Sequence, residues 1–143
     1  MKTGILSFLL VLGLLVATSG CANRATANLT PGTDLGKIKS FYLIPAENDK
    51  ETYPLIKANL EKRGYGVTVG PETPLPYRSD AVVTYQDKWM WDITMYMLEL
   101  TITFRDPSSN YPLAVGNSMH TSLTRKSPEE MVDEVLTNMM AAH

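Results

Sequence analysis

Cysteine is nearly absent from this 143-residue chain, with Cys21 as its single example. That excludes a disulfide framework and any metal site built on two or four cysteines. Positive charge holds no majority either. Thirteen Lys and Arg stand against fifteen Asp and Glu, for a formal charge of −2. Nucleic-acid binding requires the reverse, a basic excess gathered on one face, so no nucleic-acid partner is expected. Histidine is limited to His120 and His143. The sequence has no P-loop, no HExxH, no G-x-S-x-G elbow and no Rossmann glycine signature. Accordingly neither an enzyme, nor a cofactor, nor a metal site is expected. What is present, 44% hydrophobic and 20% charged residues, is the balance of a folded globular domain.

Long apolar runs are also scarce. The one block, Ile5 to Ala17, follows Lys2 and spans thirteen residues, short of the roughly 20 needed to cross a bilayer. A basic start, an apolar middle and a small-residue end have the layout of a secretory signal. The block ends in Thr18-Ser19-Gly20-Cys21, which resembles a bacterial lipobox, with Thr18 where such signals usually carry Leu. The resemblance implies that residues 1–20 are a lipoprotein signal peptide and that Cys21 is acylated as the mature N-terminus. Each buried methylene contributes about 0.8 kcal/mol and one chain alone binds marginally; a multiply acylated cysteine, as the resemblance implies, stays on the membrane. Ala22 stands where an Asp would mark inner-membrane retention, so the resemblance points to the outer membrane, facing the periplasm. Two alternatives remain open: ordinary secretion with cleavage after Ala25-Thr26-Ala27, and an uncleaved anchor over Thr3 to Asn23.

Residues 21–36 contain no aromatic side chain and read as the lipidated N-terminus and a flexible tether. Residues 37–143 then form a single domain. Lys37 to Pro45 is rich in β-formers, and its Phe41-Tyr42-Leu43-Ile44 run suggests an inner strand covered on both faces. Asn48 or Asp49 can cap a helix to about Arg63 that buries Leu55, Ile56, Ala58 and Leu60 and stops at Gly64. Tyr65 to Val69 is a short strand, and the proline-rich 70–79 segment a loop. Asp80 to Gln86 and Ile93 to Arg105 alternate as strands. In the latter, Leu98, Leu100, Ile102 and Phe104 share the buried face. Tyr111 to Ser122 returns as a hairpin partner. Ser127-Pro128-Glu129-Glu130 opens a last helix with a capping box, and Met131, Val132, Val135, Leu136, Met139 and Met140 form its apolar face. The order β-α-β-β-β-β-α predicts an α+β, two-layer sandwich, mostly antiparallel, with two helices on one face.

Between two of these strands lies Lys88-Trp89-Met90-Trp91-Asp92-Ile93-Thr94-Met95-Tyr96-Met97, which holds both tryptophans. Trp89, Met90, Trp91 and Tyr96 are the candidate contacts for a partner. In the alternative reading the patch is core: alternation sends Trp89 and Trp91 to one side, buried together as a partly buried platform with Met90 exposed. His120 is expected at the solvent side or rim of the last strand, opposite Leu113 and Val115. The alternative function is a small periplasmic ligand-binding protein or hydrolase pairing His120 with Asp92 or Glu99. Asp80, Asp87, Asp92, Glu99 and Asp106 recur through the strands, but acids near strand ends commonly mark turns, and a glycosidase pair is not expected among them.

The lipobox, the Lys37–Pro45 strand, Asp80-Ala-Val-Val-Thr-Tyr, Trp89-Met-Trp-Asp92 and the long strand ending in Asp-Pro together resemble a family of small uncharacterised bacterial outer-membrane lipoproteins. The likeness runs over roughly residues 35–140, and its layout is similar to periplasmic α/β accessory modules. It implies a non-enzymatic module of a cell-envelope complex, bound to the membrane through its N-terminal lipid and to an envelope protein complex or polymer, with no cofactor.

Overall fold

The computed structural model describes residues 23–142; Cys21 and residues 1–20 lie outside them, as does His143. Among the described residues six strands and two α-helices follow one another as β1 (Arg24–Leu29), β2 (Ser40–Leu43), α1 (Thr52–Lys62), β3 (Gly66–Val69), β4 (Ala81–Asp92), β5 (Thr94–Arg105), β6 (Pro112–Met119) and α2 (Pro128–Ala141). The strands form one sheet in the order β1-β6-β5-β4-β2-β3. Three neighbour pairs are antiparallel, and β2 pairs parallel with both β3 and β4. The fold is therefore α+β, with helices packed on one side of a mixed sheet. The expected element order stands with one strand added at its start.

That added strand corrects the tether. Residues 24–29 pair antiparallel with β6, from Arg24 opposite Met119 to Leu29 opposite Ala114, and Ala27 and Leu29 pack on the core. The domain thus begins at Arg24, not Lys37. A strand of small and polar residues such as Arg-Ala-Thr-Ala-Asn-Leu carries little propensity of its own. It forms because β6 offers an unpaired edge, and backbone hydrogen bonding is indifferent to side-chain type.

Alternation governs the rest of the sheet. Phe41 and Leu43 of β2, Val83 and Tyr85 of β4, and Leu100, Ile102 and Phe104 of β5 meet Ile56 and Leu60 of α1 and Met131, Val132, Val135, Leu136 and Met139 of α2 in one buried cluster. Burial in β2 alternates rather than covering both faces fully. In α1 the buried side is Thr52, Ile56 and Leu60, while Leu55 is half-buried and Ala58 exposed: α1 meets the sheet along a narrow stripe. Asp49 holds its start by accepting hydrogen bonds from the backbone N–H groups of Glu51, Thr52 and Tyr53, and Gly64, at φ +93°, ends it in the left-handed region. The capping box of α2 forms as read, Ser127 and Glu130 each accepting from the other's backbone N–H.

Leu98 departs from its expected place. β4 and β5 stay in step to Lys88 opposite Glu99, then resume at Trp89 opposite Met97. Leu98 is the extra residue of a β-bulge, so Met97 takes the core position and Leu98 is only half-buried.

Candidate functional site

The aromatic segment is a projecting hairpin. β4 continues through Trp89-Met90-Trp91 to Asp92, and β5 leaves from Thr94, with Ile93 at the turn in a left-handed conformation at φ +62°. Trp89 faces Met97, Met90 faces Tyr96, and Trp91 faces Met95. The two tryptophans share a side, as alternation requires, but not an environment. The Trp89 indole N–H donates to Asp87 Oδ2 at 2.9 Å, and the Thr52 hydroxyl at the start of α1 donates to the same oxygen at 2.5 Å. Trp89 is half-buried against the core. Trp91 sits one step further out and is 70% exposed. The expectation that both would be buried is therefore corrected: the helical layer ends before the hairpin does. Met90 is exposed, as expected.

Tyr96 is buried beneath Arg125, whose guanidinium carbon lies 4.7 Å from the ring centroid. The Arg125 guanidinium also donates to Thr94 Oγ1 at 2.8 Å, clamping the segment after β6 against the hairpin. Tyr96 is thus a supporting residue, while Met90 and Trp91 present themselves to the outside.

His120 is not at a solvent-side rim. It does lie opposite Leu113 and Val115, but that is the helix-covered face, where Ala114, Ser118 and His120 are all buried. Its Nε2 lies 2.8 Å from Glu134 Oε2 on α2, and Glu134 is a partner that the sequence did not single out. Glu99 instead contacts Arg24 at 2.6 Å and Asn117 at 3.0 Å, and Asp92 occupies the hairpin end. Neither is the carboxylate partner of His120. Ser118 Oγ donates to the same Glu134 oxygen, and Lys126 Nζ lies 2.9 Å from the other. Burial alone would raise the Glu134 pKa, but Lys126, Ser118 and His120 together outweigh it and hold the carboxyl at about 2.

This cluster has the components of a nucleophilic triad in the wrong order. In a triad the histidine stands between hydroxyl and carboxylate and takes the hydroxyl proton. Here the carboxylate stands between them, and both Ser118 and His120 address it. Ser118 therefore has no histidine base, the Glu134 carboxylate it addresses is a weak one at about 2, and its side chain is buried. The arrangement fastens α2 to β6.

On the helix-free face, the 70–79 loop brings Tyr77 against Tyr42, with tilted rings whose centroids are 4.9 Å apart. Beside it lies a groove of about 530 Å³, lined by Tyr77, Thr84, Gln86, Thr101, Thr103 and Arg105. Its polar lining follows from the outward positions of β4 and β5. The alternation of threonines with Leu100, Ile102 and Phe104 was its only sequence signal.

Comparison with known proteins finds no matching family model, and no curated protein sequence matches. The fold has counterparts among solved structures. One, the PelC dodecamer from Paraburkholderia phytofirmans, superposes with a TM-score of 0.60 at 12% identity, over 81% of this chain and 96% of that one. A substituted form of the same protein gives 0.58 at 13% identity, over 81% and 95%. TolB from Acinetobacter baumannii aligns over 82% of this chain and 31% of its own, at 16% identity and a TM-score of 0.47. At such identities the first two establish a shared fold.

Proposed function

We propose that this chain is a lipid-anchored, non-enzymatic accessory module of the bacterial cell envelope, held through Cys21 on the periplasmic face of the outer membrane. It engages an envelope protein complex or polymer there. The observation that carries the reading is the position of β1. The lipobox-like Thr18-Ser19-Gly20-Cys21 ends three residues before Arg24, where the sheet begins. Cleavage at Cys21 keeps β1 whole. Cleavage after Ala27 would remove four of its six residues, stripping the hydrogen bonds they make to β6 and the Ala27 contact with the core. The packing of β1 thus favours lipoprotein processing over ordinary secretion.

The non-enzymatic reading is supported by the order of Ser118, Glu134 and His120, which leaves the hydroxyl without a histidine base. The surfaces exposed for contact are Met90 and Trp91 on the hairpin and the open edges of β1 and β3, and a protein or polymer partner is assigned to the edges. An open edge accepts a strand from another chain or from a second copy of this one. The dodecameric state of the PelC neighbour makes self-association the first occupant to measure.

The test is fractionation with crosslinking in intact cells. Wild-type protein is expected in the outer-membrane fraction, crosslinked to an envelope component or to itself, and Cys21→Ser is expected to leave that fraction. Identical fractionation of the two proteins, with no crosslinked species above background, would overturn the proposal.

A further inference from the structure

Five of the seven large hydrophobic side chains exposed among the described residues gather at one end of the sheet: Met90, Trp91, Ile93, Met95 and Leu123. Ile93 is 86% exposed at the hairpin turn, and Leu123 is 96% exposed in the short 3-10 turn after β6. Strand register shows which end this is. Arg24, Met119, Glu99 and Lys88 lie side by side across β1, β6, β5 and β4. Four further residue pairs and the Ile93 turn extend beyond that row, about 15 Å of strand at ~3.3 Å per residue. The chain enters β1 at Arg24 from this same side, because β1 runs away from the row toward Leu29.

Side-chain contacts bind the end together. Asn23 Oδ1 accepts a hydrogen bond from Thr124 Oγ1 at 2.5 Å, and Arg125 of the same segment donates to Thr94 Oγ1 beside the hairpin turn. Two peptide links hold the Cys21 Cα within about 8 Å of Asn23.

We infer that this end is a second membrane contact, in which the hairpin tip and Leu123 insert into the bilayer that holds the Cys21 lipid. The inference rests on the lipid anchoring proposed above and names what the exposed tip touches. Lipid is favoured over a protein for two reasons. The chain enters the sheet at Asn23 and Arg24 through the same end, two peptide links after Cys21, so anchoring brings the tip to the surface at no further search cost. The tip is also apolar on both faces, Met90 on one and Trp91 and Met95 on the other. A surrounding solvent suits such a shape, whereas a flat partner would cover one side. Tryptophan prefers the boundary between headgroups and acyl chains. Asp92 is the one acidic residue among residues 89–97, and it limits insertion to that boundary, about 5–10 Å deep. Partner binding is thereby left to the strand edges and the groove beside Tyr77.

Trp89 and Trp91 are the only tryptophans, so intrinsic fluorescence reads the tip directly. Mature protein acylated at Cys21 is reconstituted into phosphatidylethanolamine and phosphatidylglycerol vesicles, with or without bromine on the acyl chains, and flotation is measured on the same sample. Floating protein is expected to lose most of its Trp91 emission in the brominated vesicles. In Trp91→Phe, which leaves half-buried Trp89 as the reporter, the loss should be much smaller. Protein that floats but is not quenched overturns the tip contact and leaves the anchor standing. Protein that does not float overturns both. A blue shift without quenching, accompanied by a doubled mass, means that a second copy covers the tip and also overturns the inference.

Discussion

Glu134 concentrates three polar contacts at one half-buried point, and its ionisation is written into the stability of the domain. The carboxyl is held at about 2 against an ordinary 4.5. A depressed carboxylate stabilises the fold fully above its unfolded value and loses that contribution as pH falls through the folded one. The urea midpoint of wild type should therefore exceed that of Glu134→Gln at neutral pH, and the gap should close between pH 4.5 and about 2. A gap that stays constant over that range would contradict the role. The two tryptophans give a second test at this scale. Trp89→Ala should destabilise by about 2–4 kcal/mol, since it empties part of the core and frees Asp87 from a donor. Trp91→Ala should fall within about 0.5 kcal/mol of wild type. Equal losses in chemical denaturation would contradict the division between them. Sequence carried the pairing of the two rings on one side but not their different surroundings, because alternation says nothing about where the covering helices stop. It carried the burial pattern of His120 with the wrong sign: alternation separates two faces without saying which one the helices cover. Glu134 lies fourteen residues from His120, across a packing contact that no local pattern encodes.

Elements were most legible where their signals are local. The α2 capping box rests on residues 127–130 alone, and Ser127→Ala should cost about 1 kcal/mol in stability by removing the hydroxyl that serves the Glu130 N–H. A loss below the error of thermal denaturation would contradict it. β5 was read nearly to its ends because one face is apolar and the other polar. Its bulge at Leu98 escaped because an inserted residue changes the partner's register, not the composition of the strand. Gly116 marks a contact equally invisible in sequence. A Cβ at that position would lie 2.5 Å from Met139 Cγ and 2.8 Å from Val135 Cγ1 of α2, well inside van der Waals distance. Glycine on β6 thus lets α2 lie close against the sheet. Gly116→Ala should destabilise by about 1–3 kcal/mol through overpacking, although alanine favours a strand more than glycine does. A neutral or stabilising result in urea denaturation would show that α2 can stand off without cost.

The whole molecule has two polarities. Its helices cover one face and leave the other with a polar groove, and its apolar hairpin projects from one end. The α+β class and the helical layer follow from the sequence of amphipathic stretches. β1 does not, since Arg24 to Leu29 becomes a strand only through an edge provided some ninety residues later. That strand shortens the distance between Cys21 and the domain from a tether to a few bonds. It also makes the site of processing a structural matter. The decisive measurement is the intact mass of the mature protein, with sequencing of its N-terminal peptide. An acylated Cys21 as the first residue is the predicted result. A chain that begins after Ala27, or one that retains the leader with an unmodified Cys21, would contradict the account.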